Sequence, residues 1–467
     1  MDGEDSYSIA SSSLTKDNSR SIESDSNHSM LFKSRWSVLA AEKIAFLAEN
    51  HAALAVIPEE SYHSGSRSVS TVSLPNSVAS SRLFLPYERI QYHLAHDPKC
   101  QREVALGRRI GFYRLANEIG HGNFSKVKLG THVLTEENVA VKMMDKAGMN
   151  QKVQQLLEGE VASMEEMHHP NIIRLFERVE TLSRTYLIME YAGGGELDSF
   201  VNARGRLPEH EAKQLFSQIH QKGYIHRDIK PENIVFSRPG KVKLIDFGFA
   251  QKCDRTDTLT DFFCSPLFAA PEKELVHYSG HKVDVYALGV LLYFMLVGTV
   301  PFDGESIVEL KMAIFKGDYR KPDYMSAAAS HIISRMLDRN PDTRIHSDEI
   351  KQNFWLKEAH YPKQHAQFSL SPNMEDLEKS ETVRRAWNKL NDYGISTEML
   401  LDAGQHGVCS PIIGIYRIVL HQEQGSSNKQ KHIKTTGHNA SVTSEKNQTK
   451  RKPKKQLKSR SKTCTLL

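Results

Sequence analysis

The chain has 467 residues with 39% hydrophobic content, which is enough for a globular core. This length exceeds what one hydrophobic core usually supports, so we expect a large domain with additional segments. The five cysteines are scattered and include no CxxC pair. Their spacing argues against a disulfide framework or a zinc site and is typical of a protein from a reducing compartment.

The net charge of +5 is distributed unevenly along the chain. Residues 425–467 contain twelve Lys or Arg and one acid, Glu445, so this segment carries +11 and the rest of the chain −6. The basic character therefore belongs to residues 425–467, which we predict to be a disordered tail. The charge pattern does not favour a nucleic-acid-binding fold, and no nucleic-acid partner is expected.

Residues 1–100 are predicted to form a disordered, Ser-rich N-terminal region. Ten of the first thirty residues are Ser, and such a sequence buries too little apolar surface to offset the entropy lost on ordering. The pattern allows one amphipathic helix, near residues 35–50. We expect no signal peptide, because acidic residues open the chain, and no transmembrane helix, because charges interrupt the apolar stretch at 39–57.

Near residue 101 the composition changes to that of two strands joined by a glycine turn. The candidate nucleotide-binding residues in this segment are Ile119, Gly120, His121, Gly122, Asn123, Phe124, Ser125, Lys126 and Val127. Glycines let backbone N–H groups approach phosphates, although a Gly-x-Gly pair alone is usually only a turn. The next predicted strand ends in Lys142, a further candidate nucleotide-binding residue.

Residues 226–248 carry the most informative pattern. They read His226-Arg227-Asp228-Ile229-Lys230-Pro231-Glu232-Asn233 and, after a spacer, Asp246-Phe247-Gly248. Asp228 can accept a proton, while Asn233 and Asp246 offer the hard oxygen ligands that Mg²⁺ prefers. This pattern matches the protein-kinase signature His-Arg-Asp-x-x-x-x-Asn followed by Asp-Phe-Gly.

The signature implies roles for residues in the other predicted elements. Glu160, on a predicted helix over residues 152–167, would pair with Lys142, although a solvated glutamate on a helix face is the alternative. Residues 190–192 would form the hinge whose backbone reads adenine, with Glu190 and Ala192 at its ends. Glu196 would bind the ribose hydroxyls. Lys230 resembles the lysine of serine/threonine kinases, which stabilises the transferring phosphoryl group.

Several longer stretches narrow the resemblance. They are residues 107–113, 168–175, 190–197, 287–295 and 414–421. Residues 103–422 resemble the AMP-activated-kinase-related branch of the calcium/calmodulin-dependent-kinase group, most closely the NIM-type kinases. The resemblance implies an α+β, two-lobed kinase fold, with an antiparallel β N-lobe at about 101–192 and a helical C-lobe at about 193–356. It also implies ATP as co-substrate, Mg²⁺ as cofactor, and protein substrates.

Two departures from the family pattern support an alternative interpretation. The helix before the catalytic loop is about seven residues short, roughly two turns, and would end only a few residues before His226. In the activation segment, Phe262 replaces the threonine that an upstream kinase normally phosphorylates, so Thr260 becomes the candidate site, with Thr256 and Thr258 as rivals. These departures would suit a nucleotide-binding pseudokinase or scaffold instead of an active enzyme.

The residues after the kinase domain predict two further features. Helical patterns at 381–392, 396–404 and 410–421 resemble a UBA-like autoinhibitory module within residues 378–422, and a linker with incidental helices is the alternative. The chain ends Cys464-Thr465-Leu466-Leu467, a Cys-a-a-X pattern that predicts geranylgeranylation of Cys464. Eight Lys or Arg lie within residues 450–462, and they would serve either as the second membrane signal or as a nuclear-localisation patch. We expect a cytoplasmic protein that associates with anionic membranes through this tail.

Overall fold

The computed structural model of the protein describes residues 84–122, 125–219, 224–252, 257–260, 265–274, 277–359, 361 and 370–437. The sequence predictions at residues 1–83 and 438–467, including the helix near 35–50 and the lipidation site Cys464, lie outside these residues. The same holds for Asn123 and Phe124 of the glycine turn.

The N-lobe is built on an antiparallel sheet of six strands in the order β1-β2-β3-β4-β6-β5. The strands are β1 (Arg109–Ile110), β2 (Tyr113–Gly122), β3 (Ser125–His132), β4 (Asn138–Asp145), β5 (Leu175–Glu180) and β6 (Arg184–Glu190). Lys142 lies opposite Leu187 in the register of β4 and β6. Because side chains alternate along a strand, Lys142 faces the opposite side of the sheet from the fully buried Val139 and Val141.

Helix α3 (Gln151–Glu166) packs against this sheet and carries Glu160. The side chain of Asn150 caps its start by accepting a hydrogen bond from the backbone of Val153, which satisfies one of the free N–H groups at the helix end. Leu157, Val161 and Met164 form its buried face at helical spacing. The helix predicted at 152–167 is therefore present.

The C-lobe is mainly helical. Its helices are α4 (Leu197–Asn202), α5 (Glu209–Ile219), α6 (Gly280–Val297), α7 (Ile307–Lys316), α8 (Ala327–Met336) and α9 (Ser347–Gln352). In the described residues, four short strands accompany them and form two antiparallel pairs: β7 (Tyr224–Ile225) with β10 (Gln251–Lys252), and β8 (Ile234–Arg238) with β9 (Lys241–Leu244). Helix α6 is long and apolar enough to cross a membrane, but most of it is buried inside the fold, as expected for a core helix.

Helix α5 is the shortened helix before the catalytic loop, with 11 residues. It is anchored at both ends despite its length. Near its start, Glu209 accepts hydrogen bonds from the backbone and hydroxyl of Ser326 and from the indole of Trp355. Near its end, Gln218 accepts a hydrogen bond from Asn171 and donates one to the carbonyl of Gly240. This helix therefore contacts the β8–β9 hairpin beside the catalytic loop.

The N-terminal boundary of the ordered region differs from the prediction. Residues 86–100 were predicted to be disordered, but they lie in α1 (Pro86–His96) and α2 (Pro98–Ala105). Tyr87 of α1 is buried and stacks on Phe112, with ring centroids 5.6 Å apart. A few aromatic anchors therefore compensate for the otherwise polar composition, because each one buries a large apolar area against the sheet.

In the described part of the chain, four α-helices follow the kinase domain: α10 (Met374–Lys379), α11 (Glu381–Tyr393), α12 (Thr397–Gly404) and α13 (Pro411–Gly437). The three predicted helical patterns are present, and α13 continues to Gly437, so the start of the tail is helical where disorder was predicted. Gly394 adopts a left-handed conformation, with φ of 91°, and ends α11. The relation of these helices to UBA-like modules stays a prediction.

The four C-terminal helices and α1 share a hydrophobic core with the N-lobe sheet. Residues of this core come from both ends of the chain and from the strands: Tyr87, Phe112, Tyr113, Val139, Val141, Phe176, Ile188, Val383, Trp387, Leu390, Ile415, Tyr416, Ile418 and Val419 are among them. Val139 and Val141 show that this core lies on the face of the sheet opposite Lys142. The C-terminal helices therefore cover the back of the N-lobe.

Candidate active site

Lys142 stands at the centre of the cleft between two carboxylates. Its Nζ lies 2.6 Å from Oε1 of Glu160 and 3.3 Å from Oδ1 of Asp246. Burial alone would lower the pKa of Lys142, but the two carboxylates raise it above its ordinary value, so the amine stays charged. The predicted pairing of Lys142 with Glu160 is present, which is not the arrangement of a solvated glutamate.

A second cluster forms around Asp228. Lys230 Nζ lies 2.8 Å from Asp228 Oδ2, while the hydroxyl of Ser265 donates to Asp228 Oδ1 at 2.7 Å and accepts from Lys230 at 3.0 Å. Burial raises the pKa of Asp228, but Lys230 and the Ser265 hydroxyl more than offset this effect and hold it below its ordinary value. The carboxylate is therefore ionised and able to accept a hydrogen bond from a substrate hydroxyl.

Asn233 is tied to the same carboxylate. Its Nδ2 donates to the backbone carbonyl of Asp228 at 2.9 Å and to Oδ2 of Asp228 at 3.0 Å. Because the amide nitrogen makes both bonds, its oxygen is left to act as a ligand. The carboxylate of Asp246 is 46% exposed to the cleft. An amide oxygen and an accessible carboxylate are hard donors suited to a Mg²⁺ ion that keeps several waters and binds phosphate.

The backbone at this site adopts conformations that residues other than glycine rarely use. Arg227 and Asp246 have φ values of 64° and 63°. Both are held by the surrounding fold: the two oxygens of Asp284 accept hydrogen bonds from the backbone N–H groups of His226 and Arg227, and Phe247 is buried against the His226 ring. Such conformations persist only where neighbouring contacts fix them, and they are concentrated at functional sites.

The nucleotide-binding residues lie on the strands that border the cleft. Gly120 and Gly122 end β2. In the register with β3, Gly120 lies opposite Val127, His121 opposite Lys126 and Gly122 opposite Ser125. Ile119 and His121 are exposed. The turn itself lies outside the described residues, so its predicted phosphate contacts stay a prediction.

The hinge contains a buried ion pair that the sequence did not reveal. Glu190 pairs with Lys243 at 2.8 Å, and its other oxygen lies 3.6 Å from Nε2 of His421. Burial raises the pKa of Glu190, but Lys243 and His421 lower it below its ordinary value, so the carboxylate is ionised. Its side chain is thus engaged inside the fold, and only the backbone of the hinge remains to contact adenine. Ala192 and Glu196 follow on the segment that leads into α4.

Ser265 was missed as a functional residue. The available signal was its position in Cys264-Ser265-Pro266, shortly before Pro271-Glu272, within the predicted activation segment.

Downstream, Arg344 is 1% exposed and bonds to both oxygens of Glu272, with Nη2 2.8 Å from Oε2. This pair anchors the end of the activation segment. Thr260 is exposed, beside the backbone pairing of Leu259 with Tyr278.

The two-lobed fold, the Lys142–Glu160 pair and the cluster around Asp228 together define a protein kinase domain. The chain belongs to the protein kinase family, whose domain model matches residues 113–356. This match confirms the predicted two-lobed kinase fold.

Two curated relatives narrow the family. The chain is 40% identical over 280 residues to a protein named probable serine/threonine-protein kinase MARK-A from Dictyostelium discoideum, covering 58% of this chain and 26% of the relative. It is 37% identical over 275 residues to the serine/threonine-protein kinase SIK3 homolog of Danio rerio, covering 57% of this chain and 23% of the relative. The matched region thus spans about a quarter of each relative. Both relatives agree with the predicted AMP-activated-kinase-related branch.

Proposed function

We propose that this chain is an active serine/threonine protein kinase that transfers the γ-phosphoryl group of ATP to Ser or Thr hydroxyls of protein substrates. The observation that carries the proposal is the cluster of Asp228, Lys230 and Ser265. It provides an ionised acceptor and a fixed cation on one side of the cleft, facing the nucleotide-positioning pair of Lys142 and Glu160. The names of both relatives support the choice of Ser and Thr as acceptors.

The transfer forms a bond between the substrate hydroxyl oxygen and the γ-phosphorus and breaks the bond from that phosphorus to the bridging oxygen, which leaves with ADP. Asp228 orients the hydroxyl and accepts its proton. Lys230 neutralises charge on the transferring group, and Ser265 holds both side chains in place. Most of the barrier reduction comes from positioning and charge stabilisation, because the transition state is loose and anionic.

The remaining residues position the nucleotide. Lys142, fixed by Glu160, binds the α- and β-phosphates, and the hinge backbone from Glu190 to Ala192 binds adenine. Asn233 and Asp246 would hold Mg²⁺, which would supply positive charge to neutralise the phosphates. Within the family, we place the chain with the NIM-type kinases because of the motif stretches found in the sequence, and we assign the C-terminal helices to a UBA-like regulatory module.

Activation and localisation complete the proposal. An upstream kinase would phosphorylate Thr260, which is exposed. Its phosphate would pair with Arg227, although Arg227 is buried and already donates its Nε to the carbonyl of Phe249.

The polybasic tail and a prenyl group on Cys464 would bring a cytoplasmic protein to anionic membranes. In eukaryotic cells, Cys464→Ser should shift the protein from the membrane fraction to the soluble fraction, and an unmodified C-terminal peptide by mass would contradict prenylation.

Transfer of labelled phosphate from ATP to a protein substrate tests the catalytic proposal. Purified wild type should transfer phosphate, and Asp228→Asn, which keeps the shape of the side chain but removes its charge, should lose at least a hundredfold in kcat. Mg·ATP binding measured on the same samples separates the outcomes. Wild-type protein that binds Mg·ATP but transfers no phosphate would support a scaffold and overturn the proposal.

A further inference from the structure

Arg417, on helix α13, is a buried charged residue, and its contacts in the described part of the chain include neither Asp228 nor Lys142. It is 1% exposed, and its guanidinium reaches three groups outside α13. Its Nε lies 3.2 Å from the carbonyl oxygen of Leu370, Nη1 lies 3.5 Å from that of Leu175 in β5, and Nη2 lies 2.8 Å from Oε1 of Glu165 in α3. A buried charge with this many partners is costly to displace, so the geometry it fixes is well defined.

Glu165 connects this contact to the active site. It lies on the same helix as Glu160, five residues or about 7.5 Å further along. Because a helix moves nearly as a rigid body, a contact that fixes the Glu165 end of α3 also limits where Glu160 can lie. Glu160 in turn holds Lys142, which is 2.6 Å away. Arg417 is therefore connected to Lys142 through the ion pair with Glu165, helix α3 and the ion pair between Glu160 and Lys142.

Other contacts of α13 make its docking on the N-lobe extensive. Gln422 donates to the carbonyl of Thr135 and to Oε2 of Glu137, in the turn between β3 and β4. His421 approaches Glu190 at the hinge, and Gly414 packs against Glu177 of β5 so closely that an added Cβ would lie 2.6 Å from its carboxylate. One helix thus contacts the sheet, the hinge and α3. In this structure, α13 is docked on the N-lobe and Lys142 is paired with Glu160.

We propose that Arg417 is a positioning residue for Mg·ATP binding and that the docked C-terminal helices support the active arrangement of α3. This role is opposite in sign to the autoinhibition that the sequence resemblance implies. It rests on the proposed function, because it concerns the same nucleotide site. Loss of the ion pair with Glu165 would free the end of α3, so Glu160 would hold Lys142 for a smaller fraction of the time and Mg·ATP would bind more weakly.

Calorimetric titration of Mg·ATP into the full chain tests this inference. Arg417→Met, which keeps most of the side-chain volume, should weaken binding about tenfold, and Arg417→Lys, which keeps the ion pair, should lose less. The matched control is Arg385→Met, because Arg385 forms ion pairs with Glu381 and Glu423, both on the C-terminal helices. This control should bind Mg·ATP as the wild type does.

A double-mutant cycle separates positioning from general destabilisation. In a Glu160→Gln background, the link to Lys142 is already weakened, so adding Arg417→Met should weaken Mg·ATP binding little further. Equal losses with and without Glu160, or unchanged affinity in Arg417→Met, would overturn the inference. If Arg417→Met does not fold, Glu165→Gln, on the partly exposed end of the pair, must weaken Mg·ATP binding instead, and unchanged affinity there would overturn it equally. If the wild-type protein does not bind Mg·ATP, the proposed kinase function itself is contradicted.

Discussion

Glu177→Gln should remove a pH dependence of stability from the interface between the N-lobe and the C-terminal helices. Glu177 is 5% exposed on β5 and accepts a hydrogen bond from the Tyr113 hydroxyl at 2.5 Å. Burial raises the pKa of this carboxyl to about 7, and the hydrogen bond from Tyr113 only partly offsets the effect. The folded protein therefore binds this proton more tightly than the unfolded chain does.

The sign and size of the effect follow from this difference. A carboxyl whose pKa is raised on folding stabilises the fold below its unfolded pKa, and this contribution is lost as pH rises through the folded pKa. From the ordinary value of 4.5 to about 7, the free energy of unfolding should fall by about 3 kcal/mol, at about 1.4 kcal/mol per pKa unit. The neutral amide of Gln keeps an acceptor for Tyr113 and does not titrate.

Urea unfolding at a series of pH values from 5 to 8 measures the effect. The difference in unfolding free energy between Glu177→Gln and wild type should grow in favour of the variant between pH 5 and pH 7.5 and then level off. Taking the difference cancels other groups that titrate in this range. In Tyr113→Phe, loss of the hydrogen bond should raise the pKa of Glu177 further and move the plateau to higher pH. Parallel profiles of wild type and Glu177→Gln would refute the reasoning.

Three further predictions concern the active site. Lys142→Met and Asp246→Asn should each lower kcat at least a hundredfold, because each removes a positioning charge from the cleft. The melting temperature should change little. Wild-type turnover in either variant would contradict the site assignment. Ser265→Ala should lower kcat about tenfold with little change in KM for ATP, because it removes the hydrogen bonds of Ser265 to Asp228 and Lys230. A change confined to KM would count against a role of Ser265 in phosphoryl transfer. Thr260 should carry phosphate after treatment with an upstream kinase, and mass spectrometry that finds it unmodified in a fully active sample would exclude it as the switch.

The chemistry of the site could be predicted from the sequence because its parts lie on short motifs. Asp228, Lys230 and Asn233 lie within six residues, where backbone geometry alone brings their side chains together. The helical patterns at 381–392, 396–404 and 410–421 were also predictable in outline, since apolar spacing and Gly394 act within a turn or two. These features depend on neighbours in sequence, so they appear in the sequence pattern.

Other features required the tertiary structure. The bond from Arg417 to Glu165 joins residues 252 positions apart, and Glu190 forms an ion pair with Lys243 and lies 3.6 Å from His421, on two other segments of the chain. A charged residue in a sequence carries no mark of the partner that packing will bring to it, and Arg417 looks like an ordinary polar position on an amphipathic helix. The sequence determined which groups perform the chemistry. Only the packing of the C-terminal helices on the back of the sheet decided which buried charges hold those groups in place, because the cost of burying a charge selects its partners in three dimensions.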